Sequence, residues 1–577
     1  MKEKFKSDRQ MLSGTLLKEG DYNSVREMIE RIARLVPDNQ ILAELDGNGK
    51  IRYITSRELH EEIMNLGDGL IDAGLKDAHI AIMAQNSCRY VISDITVSSG
   101  VGVVVPIDKD AENELLITLL NKCDADAVIC NANIVRKLNS VRSSCGRLKT
   151  LITIDKPVEG CLFYDDILAK GASLKEKSVF RNINLDLDKP AKILFTSGTT
   201  GANKGVVLTN TNLAANVMNC LDSIRAEEYN TSMSVLPMHH ATEINTHVVV
   251  RISGGRLTYI NDNMRNLMTN IKIFKPTVIT VVPMIANAFY KSIWANAWKA
   301  GKAEKLAKGI KLSNFLRKLG IDRTHQMFSD LYEAFGGNLN MMVCGGSMLN
   351  PMVVKGLNDL GIRTENGYGI TECGPLISIN GDTLSEHLSV GKPCYGLEAK
   401  LVDVDEDGIG ELCVRGRSVA KCYYNDEEAT RAAFAEDGFF NTGDSARIDE
   451  EGRIFLMGRK KNTIVLQNGK NICPEELENI LETNLAYANE IVVYQAQYNN
   501  GFPEDVLCAG IYIEDEEKRA DHTGIVNDIK AVNAQLPEYK HIDFLEIRDK
   551  EYEKTSTRKI KRSSLPSECS TDGIRIF

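Results

Sequence analysis

The 577 residues carry a formal net charge of −10, with 43% hydrophobic and 26% charged side chains. That composition excludes a disordered chain, and the acidic balance excludes a nucleic-acid binder acting through bulk charge, while leaving room for a local basic site for a phosphorylated ligand. At roughly 100–200 residues per domain, the length points to several structural units and more than one sizeable core.

Fourteen cysteines are scattered from Cys88 to Cys569, and no two are spaced C-x-x-C. Neither a zinc site nor a redox pair is signalled, and a reduced, cytoplasmic protein is expected. The charged N-terminal stretch does not suit a secretory signal. The longest apolar run, 101–107, falls far short of the ~20 residues a membrane helix needs. The expectation is a soluble protein, with a peripheral membrane contact left open.

In chain order, 80–83 reads as a strand, 86–100 as a helix, 101–107 as a β-branched strand containing Pro106, 112–122 as a helix and 127–130 as a strand. Strand–helix–strand alternation predicts a parallel sheet covered by helices, and it recurs over 231–282. The segment 291–318 is helical in period and rich in lysine; it predicts a solvated helical face or a phosphate- or membrane-contacting patch. After Gly391 the character changes. Segments 400–414 and 452–456 read as short strands broken by Asp-Gly and Glu-Gly turns. Pro474, Glu475 and Glu476 predict a helix start, and a domain boundary is expected near 458–461. No fixed-period repeat stands out.

The most informative stretch is 195–205. It follows a predicted strand, 191–195, and places four hydroxyls (Thr196, Ser197, Thr199, Thr200), three glycines (Gly198, Gly201, Gly205) and Lys204 within ten residues. Glycines let a backbone fold tightly and turn its N–H groups on an anion, hydroxyls donate to phosphate oxygens, and lysine adds a point charge. It is not a Walker loop, because the lysine precedes its glycine and Val206 follows. The stretch closely resembles the phosphate loop of the adenylate-forming superfamily of acyl-CoA synthetases, non-ribosomal peptide adenylation domains and luciferases. Asn203 stands where that family usually has proline, a change that loosens the loop and removes no ligand. In the family the loop holds the β- and γ-phosphates of ATP and moves during turnover.

Four further segments resemble the family's motifs in the family's order. Gly345, Gly346 and Ser347, followed by Tyr368, Gly369, Ile370, Thr371 and Glu372, resemble its adenine and magnesium segment. Tyr368 offers a face for adenine, Thr371 reaches the α-phosphate, and Glu372 is a hard oxygen ligand for Mg²⁺, with Thr196 as a second metal contact. Asn441 to Asp444 resembles the ribose site, Asp444 accepting from the ribose hydroxyls. Gly458 to Asn462 resembles the hinge, with Arg459 as a ribose and phosphate contact and Lys461 as the pivot. The segment 555–562 resembles the C-terminal motif whose one catalytic lysine would be Lys559; Arg558 stands where glycine is usual. Leu236 to His240 matches a segment lining the acyl entrance, with His240 the stronger candidate and His239 the weaker. The best local match is to bacterial fatty acyl-CoA synthetases, through 103–108, 275–283 and 468–476. Lys421 and Cys422 depart from the family's usual small residue and glycine before a tyrosine.

The resemblance implies an α/β protein: a large AMP-binding domain, 1–457, with parallel or mixed sheets covered by helices plus a β-rich subdomain, a hinge at 458–461, and a small mobile α+β domain, 462–577, carrying Lys559. It implies an acid-thiol ligase of lipid metabolism that uses ATP and Mg²⁺ to turn a carboxylic acid into acyl-AMP, then forms a thioester with coenzyme A. Lys559, Glu372, Thr196 and Lys204 would act on the phosphates. Rotation about Lys461 would then present Gly469 to the pantetheine arm. Two alternatives stay open: loading of a carrier protein's phosphopantetheine, and a non-catalytic nucleotide-binding regulator. The acid is not legible; a medium- to long-chain fatty acid follows from the resemblance alone, and aryl acids stay open.

Overall fold

Residues 78–83, Ala-His-Ile-Ala-Ile-Met, form the strand Ala78–Met83, and the last four are completely buried. An apolar run of this kind suits a strand covered on both faces. The computed structural model describes residues 5–6, 22–196, 203–223, 231–347, 349–380, 389–466, 470–485, 487–499, 503–554 and 560–576. The described chain divides into two compact units, Met1–Lys400 with Cys413–Asn441 and Gly452–Ile454, and Leu401–Leu412 with Thr442–Glu451 and Phe455–Phe577. The strands Leu397–Val402, Gly410–Gly416, Phe440–Ile448 and Ile454–Arg459 each contribute residues to both.

The first unit holds two large sheets. One has eight strands in the spatial order Cys422–Tyr423, Lys204–Thr209, Pro190–Thr196, Gly102–Pro106, Ala78–Met83, Ala127–Cys130, Thr150–Thr153 and Leu162–Phe163. Its pairs are parallel from Pro190–Thr196 through Leu162–Phe163, with Ala81 facing Val105 and Val128. The helix Asn113–Lys122 buries Leu116, Leu119 and Leu120 in the same core as those residues. The parallel sheet read from the alternation is therefore present, with the strand at 127–130 placed as expected. The predicted helix at 86–100 ends earlier, as Cys88–Thr96, and passes through a π-turn, Val97–Val101.

The other sheet has nine strands, in the order Lys392–Pro393, Leu376–Ile379, Arg363–Gly369, Met341–Cys344, Val278–Val281, Thr231–Ser234, Leu257–Ile260, Gln40–Leu45 and Ile51–Thr55. The helices Pro283–Lys299 and Pro351–Asp359 both begin on proline, whose missing N–H costs nothing at a first turn. They pack Ile285, Phe289, Val354 and Leu357 into the core that contains Ile279 and Met342.

A buried ion pair ties elements of this unit together. Lys192, on the strand Pro190–Thr196, is 1% exposed. Its Nζ donates to Asp94 Oδ1 at 2.6 Å and to Asn245 Oδ1 at 2.8 Å. Removing one partner of such a pair strands the other charge in the interior. Lys192→Met is expected to cost about 3–5 kcal/mol in urea unfolding, and Lys192→Met combined with Asp94→Leu to recover much of it. A single variant as stable as wild type would refute this.

In the second unit, the strands Glu490–Asn499, Pro503–Tyr512, Phe544–Arg548 and Ile574–Arg575 form one sheet. Ala509 faces Val493 on one side and Leu545 on the other. The helix Pro474–Asn484 starts where the sequence predicts, with Glu475 and Glu476 in its first turn, where the helix dipole favours anions. It packs Leu477 and Leu481 with Ile525 and Ile529 of the helix His522–Asn533. Among the described residues no helix is long and apolar enough to cross a membrane.

Candidate active site

Thr196 ends one strand and Lys204 begins the next, and the two face each other across the antiparallel pair. The first and last polar residues of the phosphate-loop motif are thus brought together. Ser197, Gly198, Thr199, Thr200 and Gly201 lie outside the described residues. Lys122 Nζ donates to the carbonyl of Asn203 at 2.6 Å, fixing the backbone just before Lys204.

Lys204 leads directly to Glu372. Its Nζ sits 4.8 Å from the ring centroid of Tyr423, within cation–π range. The Tyr423 hydroxyl donates to Glu372 Oε1 at 2.8 Å. Burial and the Glu372 charge push the Tyr423 phenol well above its usual range, so it stays a donor. Backbone bonds hold the same arrangement: Ala420 N–H donates to the Glu372 carbonyl and Tyr424 N–H to that of Gly205, both at 2.7 Å. Sequence reasoning did not single out Tyr423. The only signal was its place directly after the unusual Lys421–Cys422 pair.

The strand Arg363–Gly369 carries Tyr368, which is buried, and gives way to a short turn, Thr371–Cys373. A side chain at Gly369 would sit 2.2 Å from the Pro375 carbonyl oxygen, so glycine alone fits the bend that presents Thr371 and Glu372. Gly346 follows the strand Met341–Cys344 with φ +91°, in the left-handed region that glycine adopts freely. Ser347 comes next and is exposed. Gly346, Tyr368 and Gly369 border a cleft partly open to solvent, whose lining also includes Thr242, His247 and Arg251.

His239 and His240 do not line that cleft; its lining on this segment begins at Thr242. Their rings lie 4.1 Å apart, and His239 Nε2 is 4.0 Å from Asp108 Oδ2. Burial, with His240 adding to it, pushes His239 down to about 4 against the pull of Asp108; burial lowers His240 too. Burial thus favours the neutral form of both rings.

Asp444, Arg459 and Lys461 belong to the second unit. Asp444 is buried, and its Oδ1 accepts from Arg459 Nε at 2.9 Å. Arg459 Nη1 also donates to the Thr442 carbonyl at 3.2 Å. The neighbouring Lys460 pairs instead with Asp403 and Glu411. Burial lowers the Lys461 ammonium pKa, and Arg459 adds to the effect. Lys559 and Gly469 lie outside the described residues.

Among the described residues, no group of three or more His, Cys, Asp or Glu could hold a metal. Glu372, a single carboxylate, and the Thr196 hydroxyl are nevertheless oxygen donors of the kind Mg²⁺ takes. That ion usually takes one or two protein oxygens and fills its octahedron with water and substrate phosphates.

The profile of the family described as "AMP-binding enzyme" matches residues 29–424. The chain belongs to that family. Among curated proteins it is similar to long chain acyl-CoA synthetase 6, peroxisomal, of Arabidopsis thaliana, 30% identical over 491 residues that cover 79% of this chain and 68% of that one. It is also similar to long-chain-fatty-acid–CoA ligase 1 of Homo sapiens, 28% identical over 502 residues, 80% of this chain and 70% of that one. Among solved structures, the anthranilate CoA ligase AuaEII in complex with anthranoyl-AMP shares the fold. Its TM-score is 0.75 at 18% identity, over 95% of this chain and 98% of that one. ATP-bound MatB from Rhodopseudomonas palustris gives 0.71 at 19% identity, over 94% and 98%. The family and the α/β architecture inferred from the motifs are thereby borne out.

Proposed function

We propose that the protein activates a medium- to long-chain fatty acid with ATP and passes the acyl group to the thiol of coenzyme A. The observation that carries this reading is the line from Lys204 through Tyr423 to Glu372, next to the mostly apolar cleft that Tyr368 and Gly369 border. It joins a cation at the root of the phosphate loop to a metal-binding carboxylate, the pairing a triphosphate requires. The names of the similar curated proteins support the substrate class.

A carboxylate is a poor electrophile. Its oxygen attacks the α-phosphorus of ATP, the bond to the bridging oxygen breaks, and pyrophosphate leaves with that electron pair. The thiolate then attacks the carbonyl carbon of the resulting mixed anhydride, the bond from that carbon to the phosphate oxygen breaks, and AMP leaves with that electron pair. In the first step charge builds on phosphate oxygens, so catalysis needs positioned cations more than a base. Lys204 and the hydroxyls of 196–200 hold the outer phosphates. Bound through Glu372 and Thr196, Mg²⁺ would neutralise the phosphate charge. Tyr423 holds Glu372 in place, Tyr368 supports the adenine, and Asp444 and Arg459 take the ribose. Lys559 bridges the carboxylate and the α-phosphate. For the second step, the reading takes 1–457 and 462–577 as domains that rotate about Lys461, which withdraws Lys559 and presents Gly469 to the thiol. Incubating enzyme, ATP and fatty acid with coenzyme A or with a holo-carrier protein tests the acceptor. Thioester on the carrier alone would replace coenzyme A, and AMP release independent of any acid would replace the ligase with a regulator.

The reading places the protein in the cytoplasm, the compartment that irregularly spaced cysteines suit. It also gives the protein a membrane face. Residues 283–318 hold eight lysines and arginines against one acidic residue, Glu304. On the helix Ala303–Lys318 and the residue after it, Leu312, Phe315 and Leu319 are exposed at i, i+3 and i+7, and Trp298 on the preceding helix is 72% exposed. Apolar anchors among lysines match an anionic lipid surface. Co-sedimentation with vesicles containing phosphatidylglycerol is expected, weakened by salt and by Trp298→Ala with Phe315→Ala. Equal binding to neutral vesicles, or none to anionic ones, would contradict it.

A further inference from the structure

The cleft beside Tyr368 is mostly apolar, with one polar run that the proposed reaction does not use. The run comes from the helical segment Thr242–Val248 and its continuation Val249–Ser253, which send Thr242, Thr246, His247 and Arg251 to the lining.

His247 is 4% exposed. Its Nδ1 lies 3.1 Å from Glu243 Oε1. Glu243 is itself completely buried, and its two oxygens also accept the backbone N–H groups of Val235 and Leu236, each at 3.2 Å. A carboxylate so placed fixes the imidazole with its proton on Nδ1, which leaves Nε2 as a lone-pair acceptor. Nε2 is buried and has no partner among the described residues. One helical turn further on, Arg251 lines the same cleft, also 4% exposed. Burial, with Arg256 adding to it, lowers its guanidinium to about 10, still a cation at neutral pH.

Keeping a buried acceptor unmade is costly. A plain alkyl chain filling the cleft would leave that cost standing. A hydroxyl relieves it by donating to Nε2, and its oxygen can at the same time accept from a guanidinium. The guanidinium has five N–H donors, so it can serve a ligand alongside its other partners. We propose that the acid received in this cleft carries a hydroxyl on its chain, which donates to His247 Nε2 and accepts from Arg251. This rests on the reading that the cleft receives the acid, and it narrows that acid from an unsubstituted fatty acid to a hydroxylated one. His247 and Arg251 then determine specificity and take no part in the chemical step.

The test measures acid-dependent pyrophosphate release by the full chain. The substrates are one parent fatty acid, its positional hydroxy acids and the dicarboxylic acid of the same length. A site built around a hydroxyl discriminates strongly against the analogue that lacks it. At least one hydroxy position is expected to exceed the parent by about tenfold or more in kcat/KM, mainly through KM. His247→Leu is expected to erase that ratio while keeping the parent acid as a substrate. His247→Gln, which keeps a side-chain acceptor, should retain part of the ratio and guards against a folding defect in the leucine variant. The parent matching every hydroxy acid, the dicarboxylic acid proving best, or His247→Leu keeping the ratio would overturn the proposal. Failure of every acid to release pyrophosphate would instead overturn the adenylation reading itself.

Discussion

Lys559→Ala is expected to abolish acid-dependent exchange of pyrophosphate into ATP while sparing thioester formation from a pre-made acyl-adenylate. The transition state of the first half-reaction carries negative charge on the α-phosphate and on the attacking carboxylate. A cation touching both lowers that barrier selectively, because the two anions otherwise repel each other. Losing one preorganised contact of this kind typically costs about 3–4 kcal/mol, or 10²–10³ in rate, and the exchange assay should fall by at least that much. The second half-reaction forms no bond to phosphorus, and in the two-lid reading the small domain has by then withdrawn its lysine. Equal loss in both assays would refute the assignment of two separate roles to one mobile lid.

The second large effect is expected at Glu372. Glu372→Gln keeps size and hydrogen bonding but removes the charge proposed to hold Mg²⁺ on the phosphates. A fall in kcat of about 10²–10³ is expected, partly recovered at high Mg²⁺, because weakened metal binding is overcome by concentration. Tyr423→Phe separates positioning from ligation. It removes the 2.8 Å bond to Glu372 Oε1 and leaves in place the ring that Lys204 overlies. A hydrogen bond to a charged group is worth about 1.5–3 kcal/mol. The expected result is a rise in the Mg²⁺ concentration giving half-maximal rate, with a smaller loss of kcat than Glu372→Gln causes. An unchanged Mg²⁺ requirement in both variants would remove Glu372 from the metal site.

How much of this was legible depended on whether the deciding interactions were local. The strand at 127–130 and the helix start at Pro474 were readable because burial pattern and first-turn chemistry lie within a few residues. The phosphate-loop motif was readable because its function requires many hydroxyls and glycines in one short run. Lys192 was not readable. A lone lysine in a strand looks like an edge residue, and its partner Asp94 is 98 residues away in sequence. His247 and Arg251 were hidden for a related reason. Their side chains define a lining only once the helical segment 242–253 packs beside the strands ending at Cys344 and Gly369. Tyr423 became meaningful through Glu372, 51 residues earlier.

The central claim is that the acid's own oxygen becomes bonded to the α-phosphorus. Turnover of a fatty acid labelled with ¹⁸O in its carboxyl group, followed by mass analysis of the phosphate products, reads that bond directly. One labelled oxygen should appear in AMP, with none in pyrophosphate. Label in inorganic phosphate, or unlabelled AMP formed at the full rate of ATP consumption, would contradict acyl-adenylate formation.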